Sequence, residues 1–144
     1  MHAPLDPFDP NVWPLLTPAH EFRIYLDDRA ETFAVVDEID YLWAVRWRWN
    51  VKTCRRFKQY ARRAVSTYNE DGSRKGSMSV YLHIEIMKRT GIVPLSPNHK
   101  IVDHRNGKSL DCRRANLRYA THAMNSLNVN GSRAGDLEDL MYAT

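Results

Sequence analysis

Residues 101–128 read IVDHRNGKSLDCRRANLRYATHAMNSLN, and this stretch decides the fold. IVDH is a short apolar run that ends on two titratable side chains, Asp103 and His104. RNGKSLDCRR opens on the Asn106-Gly107 turn signal and predicts a long loop. NLRYA predicts a second strand, and Thr121 is a good N-cap for a helix over residues 122–129. The order is therefore strand, loop, strand, helix. Eleven residues separate His104 from Asn116, and eight separate Asn116 from Asn125. A strand pair with a helix across it can put His104 and Asn125 on the same side of a small cavity.

These residue types suit phosphodiester hydrolysis. A neutral imidazole can take a proton from water near neutral pH. A hard cation neutralises charge on the phosphate and the leaving oxygen, and oxygen donors such as Asp103 and the Asn125 amide suit Mg²⁺ or Mn²⁺. An asparagine such as Asn116 can hold the loop by bonding backbone groups. Taken alone, Asp103-His104 reads as an ordinary exposed turn pair. With Asn116 and Asn125 in register the chemical reading is favoured. On spacing, Asn125 is preferred to His122 and Asn128, which lie three residues to either side.

Upstream, residues 1–20 hold five prolines (Pro4, Pro7, Pro10, Pro14, Pro18) and read as an arm. FRIYL at 22–26 and TFAVV at 32–36 read as strands. Asp37 can cap a short helix through DEIDYLWAV, on which Ile39, Leu42 and Trp43 share a face. RWNVKT and QYARRAV read as two more strands with their basic residues on the wet side. EDGSRKG at 70–76 is the clearest turn or linker. VYLHIEIMKRTG predicts a helix stopped at Gly91. His83, between Leu82 and Ile84, reads as a satisfied, semi-buried histidine.

The length, 144 residues, fits one compact domain with small appendages, and 43% hydrophobic residues exclude a disordered chain. No apolar run approaches a membrane span, and no signal peptide is recognisable, so a cytoplasmic setting and no membrane partner are expected. Two cysteines, Cys54 and Cys112, are too few for a disulfide framework or an all-cysteine zinc knuckle, and read as free thiols. The net charge of +4 hides an asymmetry. Residues 1–40 carry two arginines against nine acids, whereas residues 41–69 carry eight basic residues and no acid. Such a basic stretch is the footprint of a polyanion partner, or else a solvated face that contacts the acidic N-terminus.

Segment 101–128 resembles the HNH endonuclease motif, the ββα-metal or His-Me finger, in the H-N-N form of phage and intron-encoded enzymes. The resemblance rests on Asp103-His104, Asn106-Gly107, Leu110-Asp111, Arg113-Arg114, Asn116-Leu117-Arg118, Thr121, Asn125 and Asn128. VYLHIEIM resembles the family's Y-L-H helix, which keeps a phosphate or metal-site role open for His83, and FAVVDEIDY…WRW its upstream β-rich region. The resemblance implies an α+β fold, with a β-rich basic part over 21–70, the finger over 71–130 and a tail over 131–144. It implies a metal-dependent DNA endonuclease, nicking as a monomer, in a phage or mobile-element setting. His104 would be the general base and Asn116 would order the loop. Asp103 and Asn125 would hold one divalent metal, Mg²⁺ or Mn²⁺. Arg46, Arg48, Arg55, Arg56, Arg62, Arg63, Arg105, Arg113, Arg114 and Arg118 are expected at double-stranded DNA. Two rivals remain: a catalytically inactive HNH-fold binding module, and a domain whose basic stretch pairs with an acidic protein.

Overall fold

The computed structural model describes residues 21–127, and the fold is α+β. Strands β1 (Phe22–Tyr25) and β2 (Phe33–Val36) form an antiparallel hairpin. The Asp27 carboxylate closes its turn by accepting from the backbone N–H of Glu31 and Thr32, at 2.9 and 3.0 Å. Helix α1 (Glu38–Ala44) follows, then a three-stranded antiparallel sheet in the order β3 (Asn50–Thr53), β4 (Gln59–Tyr68), β5 (Arg74–Tyr81). Strand β5 runs directly into helix α2 (Leu82–Thr90). Strands β6 (Ile101–His104) and β7 (Leu117–Ala120) pair antiparallel, and helix α3 (His122–Leu127) closes the finger.

Local chemistry explains the boundaries. Gly91 takes φ 73° just past the end of α2, a left-handed position that an L side chain resists. The Thr121 hydroxyl accepts from the Met124 N–H at 3.1 Å, which is the N-cap bond expected for α3. Asp37 precedes α1, but its carboxylate caps nothing on that helix. It accepts instead from the Arg114 N–H at 2.8 Å, across the molecule.

Three sequence expectations are corrected. Val80 and Tyr81, read as the start of a helix, are the end of β5, and residues 74–76 belong to that strand rather than to a linker. The Ser- and Gly-rich stretch has weak intrinsic strand propensity. It is held by its ladder with β4, from Arg62 opposite Tyr81 to Tyr68 opposite Arg74, with a bulge between Thr67 and Tyr68. Helix α1 shows its Ile39 and Leu42 to solvent, at 66% and 78% exposure, and buries Asp40 and Ala44 instead.

That inversion follows from charge. The Asp40 carboxylate is fully buried and takes a bidentate pair from Arg114, Nε at 2.9 Å and Nη2 at 2.8 Å, plus Arg89 Nε at 3.1 Å. Burial alone raises the Asp40 pKa. The hydrogen bonds and charges of Arg114 and Arg89 outweigh it and hold the carboxyl below its usual range. Next to this clamp, Val35 donates to the Leu110 carbonyl at 2.9 Å and its own carbonyl accepts from Cys112 at 2.8 Å, a parallel bridge from β2 to the finger loop. A single buried cluster runs through both halves: Ile24, Val36, Ala44 and Trp49 from the first, with Leu82, Ile86, Cys112 and Leu117 from the second. Cys54 and Cys112 are free thiols, and burial pushes the Cys112 thiol far up.

Asp40→Ala leaves two guanidiniums without their carboxylate. Both keep partial water contact, so the expected loss of unfolding free energy in urea is about 3 kcal/mol, the low end for a broken buried pair. Arg48→Ala, at the exposed Arg48–Asp28 pair, should cost less than about 1 kcal/mol. Equal losses at the two sites would show that the Asp40 clamp holds nothing special.

Candidate active site

The end of β6, the start of α2 and the sheet edge enclose a cavity of about 220 Å³. Asp103, His104 and Asn125, expected on sequence to act together, all line it. So do Lys58, Tyr60, Tyr81 and His83, together with Cys54. Asp103 sits opposite Arg118 in the β6–β7 ladder, and Arg118 Nε donates to Asp103 Oδ2 at 3.0 Å with both side chains about 95% buried. His104 is 6% exposed and ends its strand opposite Leu117.

Asn116 lies outside the cavity lining and is buried at the base of the loop. Its Oδ1 accepts from the Asn106 N–H at 3.0 Å, and its Nδ2 donates to the Asp111 carbonyl at 2.8 Å. Its backbone carbonyl accepts from Arg105 at 2.7 Å. One side chain thus fixes both ends of the loop that leaves His104. Gly107, at φ 73°, lets that loop turn back so that its N–H reaches the His104 carbonyl at 2.8 Å. Asp111 completes the brace by accepting from Asn106 Nδ2 at 2.9 Å and from Arg113, Nε at 2.8 Å and Nη2 at 2.7 Å.

Four rings form the cavity wall. His83 and His104 lie 4.8 Å apart between centroids, and Tyr60 packs on both, at 5.4 and 6.0 Å. Tyr81 stands edge-on to Tyr60 at 6.3 Å. Burial pushes the His104 imidazole down to about 4; Asp111 pulls it up and Lys58 pushes it further down. Burial, and then the charge of His104, push His83 down to about 3. Both rings are therefore neutral at pH 7. His83 differs from its sequence reading: its Nδ1 is buried without a hydrogen-bond partner among the described residues. Its place in the Y-L-H segment had left a site role open for it. Tyr60 carried none, because only strand pairing brings it to the finger.

Lys58 reaches the cavity through a tight turn at Arg55–Phe57, closed by the Cys54 N–H bonding the Lys58 carbonyl at 2.7 Å. Phe57 takes φ 58° and is 90% exposed there, an uncommon backbone for a bulky residue, and such strain clusters at functional sites.

The arginines expected at DNA divide sharply. Arg118 is corrected: it is buried against Asp103 and has no surface to offer a phosphate. Arg113 and Arg114 are committed to Asp111 and Asp40. Arg63 lies over the Trp47 ring at 4.4 Å, on the core side of its sheet. Arg48 pairs with Asp28 at the surface. Arg46, Arg55 and Arg105 are exposed, and Arg62 is half-buried with Nη1 on the Ser79 hydroxyl at 3.0 Å. The Arg56 side chain and Asn128 lie outside the described residues, as do the 1–20 arm and the tail.

The donor set fits a hard cation. Among the described residues, no group of three or more His, Cys, Asp or Glu side chains could hold a metal. One carboxylate and one amide oxygen on a shared cavity suit an ion that keeps most of its water, as Mg²⁺ does. Among the described residues, no helix is long and apolar enough to cross a membrane. The family model described as HNH endonuclease matches residues 81–127, from the end of β5 to the end of α3. No curated protein and no solved structure matches the chain.

The two imidazoles make the metal-free protein acid-labile. Their folded pKa values lie below the unfolded value of 6.5, so they contribute stability that is fully present above that pH and is lost as pH falls toward 4 and then 3. Urea midpoints should drop steadily from pH 6.5 to pH 4.5. His83→Gln should flatten the dependence near pH 5 by about 1.4 kcal/mol per pH unit, the linkage of one proton. An unchanged slope in that variant would mean that His83 is already charged in the folded state.

Proposed function

We propose that this chain, which carries an HNH endonuclease domain over residues 81–127, is a metal-dependent DNA endonuclease whose attacking water is activated by His104. One observation carries the reading. Asp103, His104 and Asn125 line a single cavity, and the base among them is neutral at physiological pH.

Each residue has a physical task. His104 accepts a proton from water, and the resulting hydroxide attacks phosphorus while the bridging oxygen opposite departs. Asn116 and Asp111 fix the loop next to His104 and so limit the angles its ring can take. Arg118 orients the Asp103 carboxylate through its buried bond. Asp103 and the Asn125 amide oxygen would hold one Mg²⁺ or Mn²⁺, which when bound supplies charge neutralisation at the phosphate and the leaving oxygen. Lys58, on the cavity wall, adds a positive charge toward the same anion. One such site per chain means one strand cut per encounter, so a monomer nicks duplex DNA.

Supercoiled plasmid should pass to the nicked form in Mg²⁺ or Mn²⁺ and remain intact in EDTA. His104→Ala should slow nicking by about 10²–10⁴-fold, the usual contribution of a positioned base, while duplex binding persists. Asn125→Ala should raise the metal concentration needed for half-maximal nicking, and His122→Ala should not. Duplex binding with no cleavage in any divalent metal would leave the non-cutting binding module as the function.

A further inference from the structure

The sheet β3–β4–β5 sets Ala61 and Arg63 against the core on one face, and leaves the other face open to solvent beyond Tyr60, from Ala64 to Tyr68. On β4 the side chains of Ala61 and Arg63 turn inward. Ala61 is buried, and Arg63 stacks over Trp47 and Trp49 at 4.4 and 5.5 Å. Alternation puts Tyr60, Arg62, Ala64, Ser66 and Tyr68 on the other face. Directly paired residues share a face, so Lys52 of β3 joins Tyr60, and Ser79 and Ser77 of β5 join Ala64 and Ser66. Tyr60 is also a wall of the cavity. The open face is therefore continuous with the site that holds His104.

Its composition names its occupant. The floor, Ala64, Ser66, Ser77 and Ser79, is small and exposed, and three of its four side chains are hydroxyls. Lys52 and Arg62 flank it near the cavity, and Arg74 stands opposite Tyr68 at the far end. None of these three pairs with a carboxylate among the described residues. The hairpin's two acids, Glu70 and Asp71, lie in its turn, beyond Tyr68. A protein interface would want apolar anchors at its centre, and this floor has none. From Tyr60 to Tyr68 the strand covers roughly 26 Å at about 3.3 Å per residue. That matches roughly seven or eight base pairs at about 3.4 Å each.

We propose that this open face of the β3–β5 sheet is the track on which a DNA duplex lies, with Lys52, Arg62 and Arg74 on its phosphates, as one linkage enters the Asp103–His104 cavity. The proposal rests on the endonuclease reading and specifies which surface carries the substrate. It moves the contact from the basic stretch as a whole to one face of it. It also adds β5, which the charge of residues 41–69 does not reveal.

The test uses the full chain carrying His104→Ala, in EDTA, with a labelled 20-base-pair duplex and fluorescence anisotropy across a salt series. Replacing Lys52, Arg62 and Arg74 together by Ala should weaken binding on the order of tenfold or more. It should also flatten the slope of log K against log salt by up to about 2.7, or about 0.9 per phosphate lost. Ser66 sits mid-floor and is exposed, so charge can be changed there with little cost to the fold. Ser66→Lys should tighten binding and steepen the slope by about 0.9, and Ser66→Glu should weaken it. Replacing Arg46 and Arg48 by Ala should leave the slope unchanged. A chain with native histidine that nicks plasmid, together with wild-type slopes in all the sheet variants, would overturn the track and leave the endonuclease reading standing. Loss confined to the Arg46 and Arg48 variant would place the duplex beside α1 and overturn it equally. Tighter binding of a single strand than of the duplex, with the same variant dependence, would reject the duplex as occupant. A native chain that neither binds nor nicks any duplex would sink both readings.

Discussion

The Asp40 carboxylate is the point on which the rest of the structure depends. It receives three guanidinium N–H bonds from Arg114, just before β7, and from Arg89, on the last turn of α2. A buried carboxylate with a single partner would be a liability; here the charge is shared by two cations that still touch water. The same clamp dictates how α1 rolls. Burying Asp40 forces Ile39 and Leu42 outward, against the preference of their side chains. The exposed apolar face of α1 is thus the cost of joining two segments far apart in sequence.

That junction matters for chemistry. Tyr60 of β4 lines the same cavity as His104 of β6, and the Ser109 hydroxyl of the finger loop bonds the Gln59 carbonyl of β4. The finger and the sheet also share one buried cluster. A reactive geometry needs its parts held to within fractions of an ångström, which a flexible linker cannot do. Here the sheet reaches the site through packing and hydrogen bonds.

Much of the finger was legible because its signals are local. The Asn106-Gly107 turn, the Thr121 cap and the Gly91 stop each act within a few residues, and each appears where the sequence placed it. The spacing of Asp103, His104 and Asn125 was enough to bring them to one cavity. What failed was long-range. Strand β5 has poor intrinsic propensity and exists because β4 pairs with it. Counting arginines located a charge but not its partners. Arg118 looks like its neighbours in sequence, yet its cross-strand place opposite Asp103 removes it from the surface. His83 read as satisfied because burial is visible in a helical pattern and a missing hydrogen-bond partner is not.

Several cations are matched by acids: Arg118 by Asp103 in the interior, Arg113 by Asp111, and Arg114 and Arg89 by Asp40 with their guanidiniums partly open to water. The two imidazoles near the cavity stay neutral because no acid lies close enough to overcome their desolvation. On the sheet face leading to the cavity, Lys52, Arg62 and Arg74 have no carboxylate partner among the described residues. On the proposed endonuclease reading, attraction of a polyanion along the sheet face and activation of water at the cavity would call for opposite treatments of charge. A sheet face on which Lys52, Arg62 and Arg74 have no carboxylate partner among the described residues, leading to a cavity whose imidazoles stay neutral, would serve both.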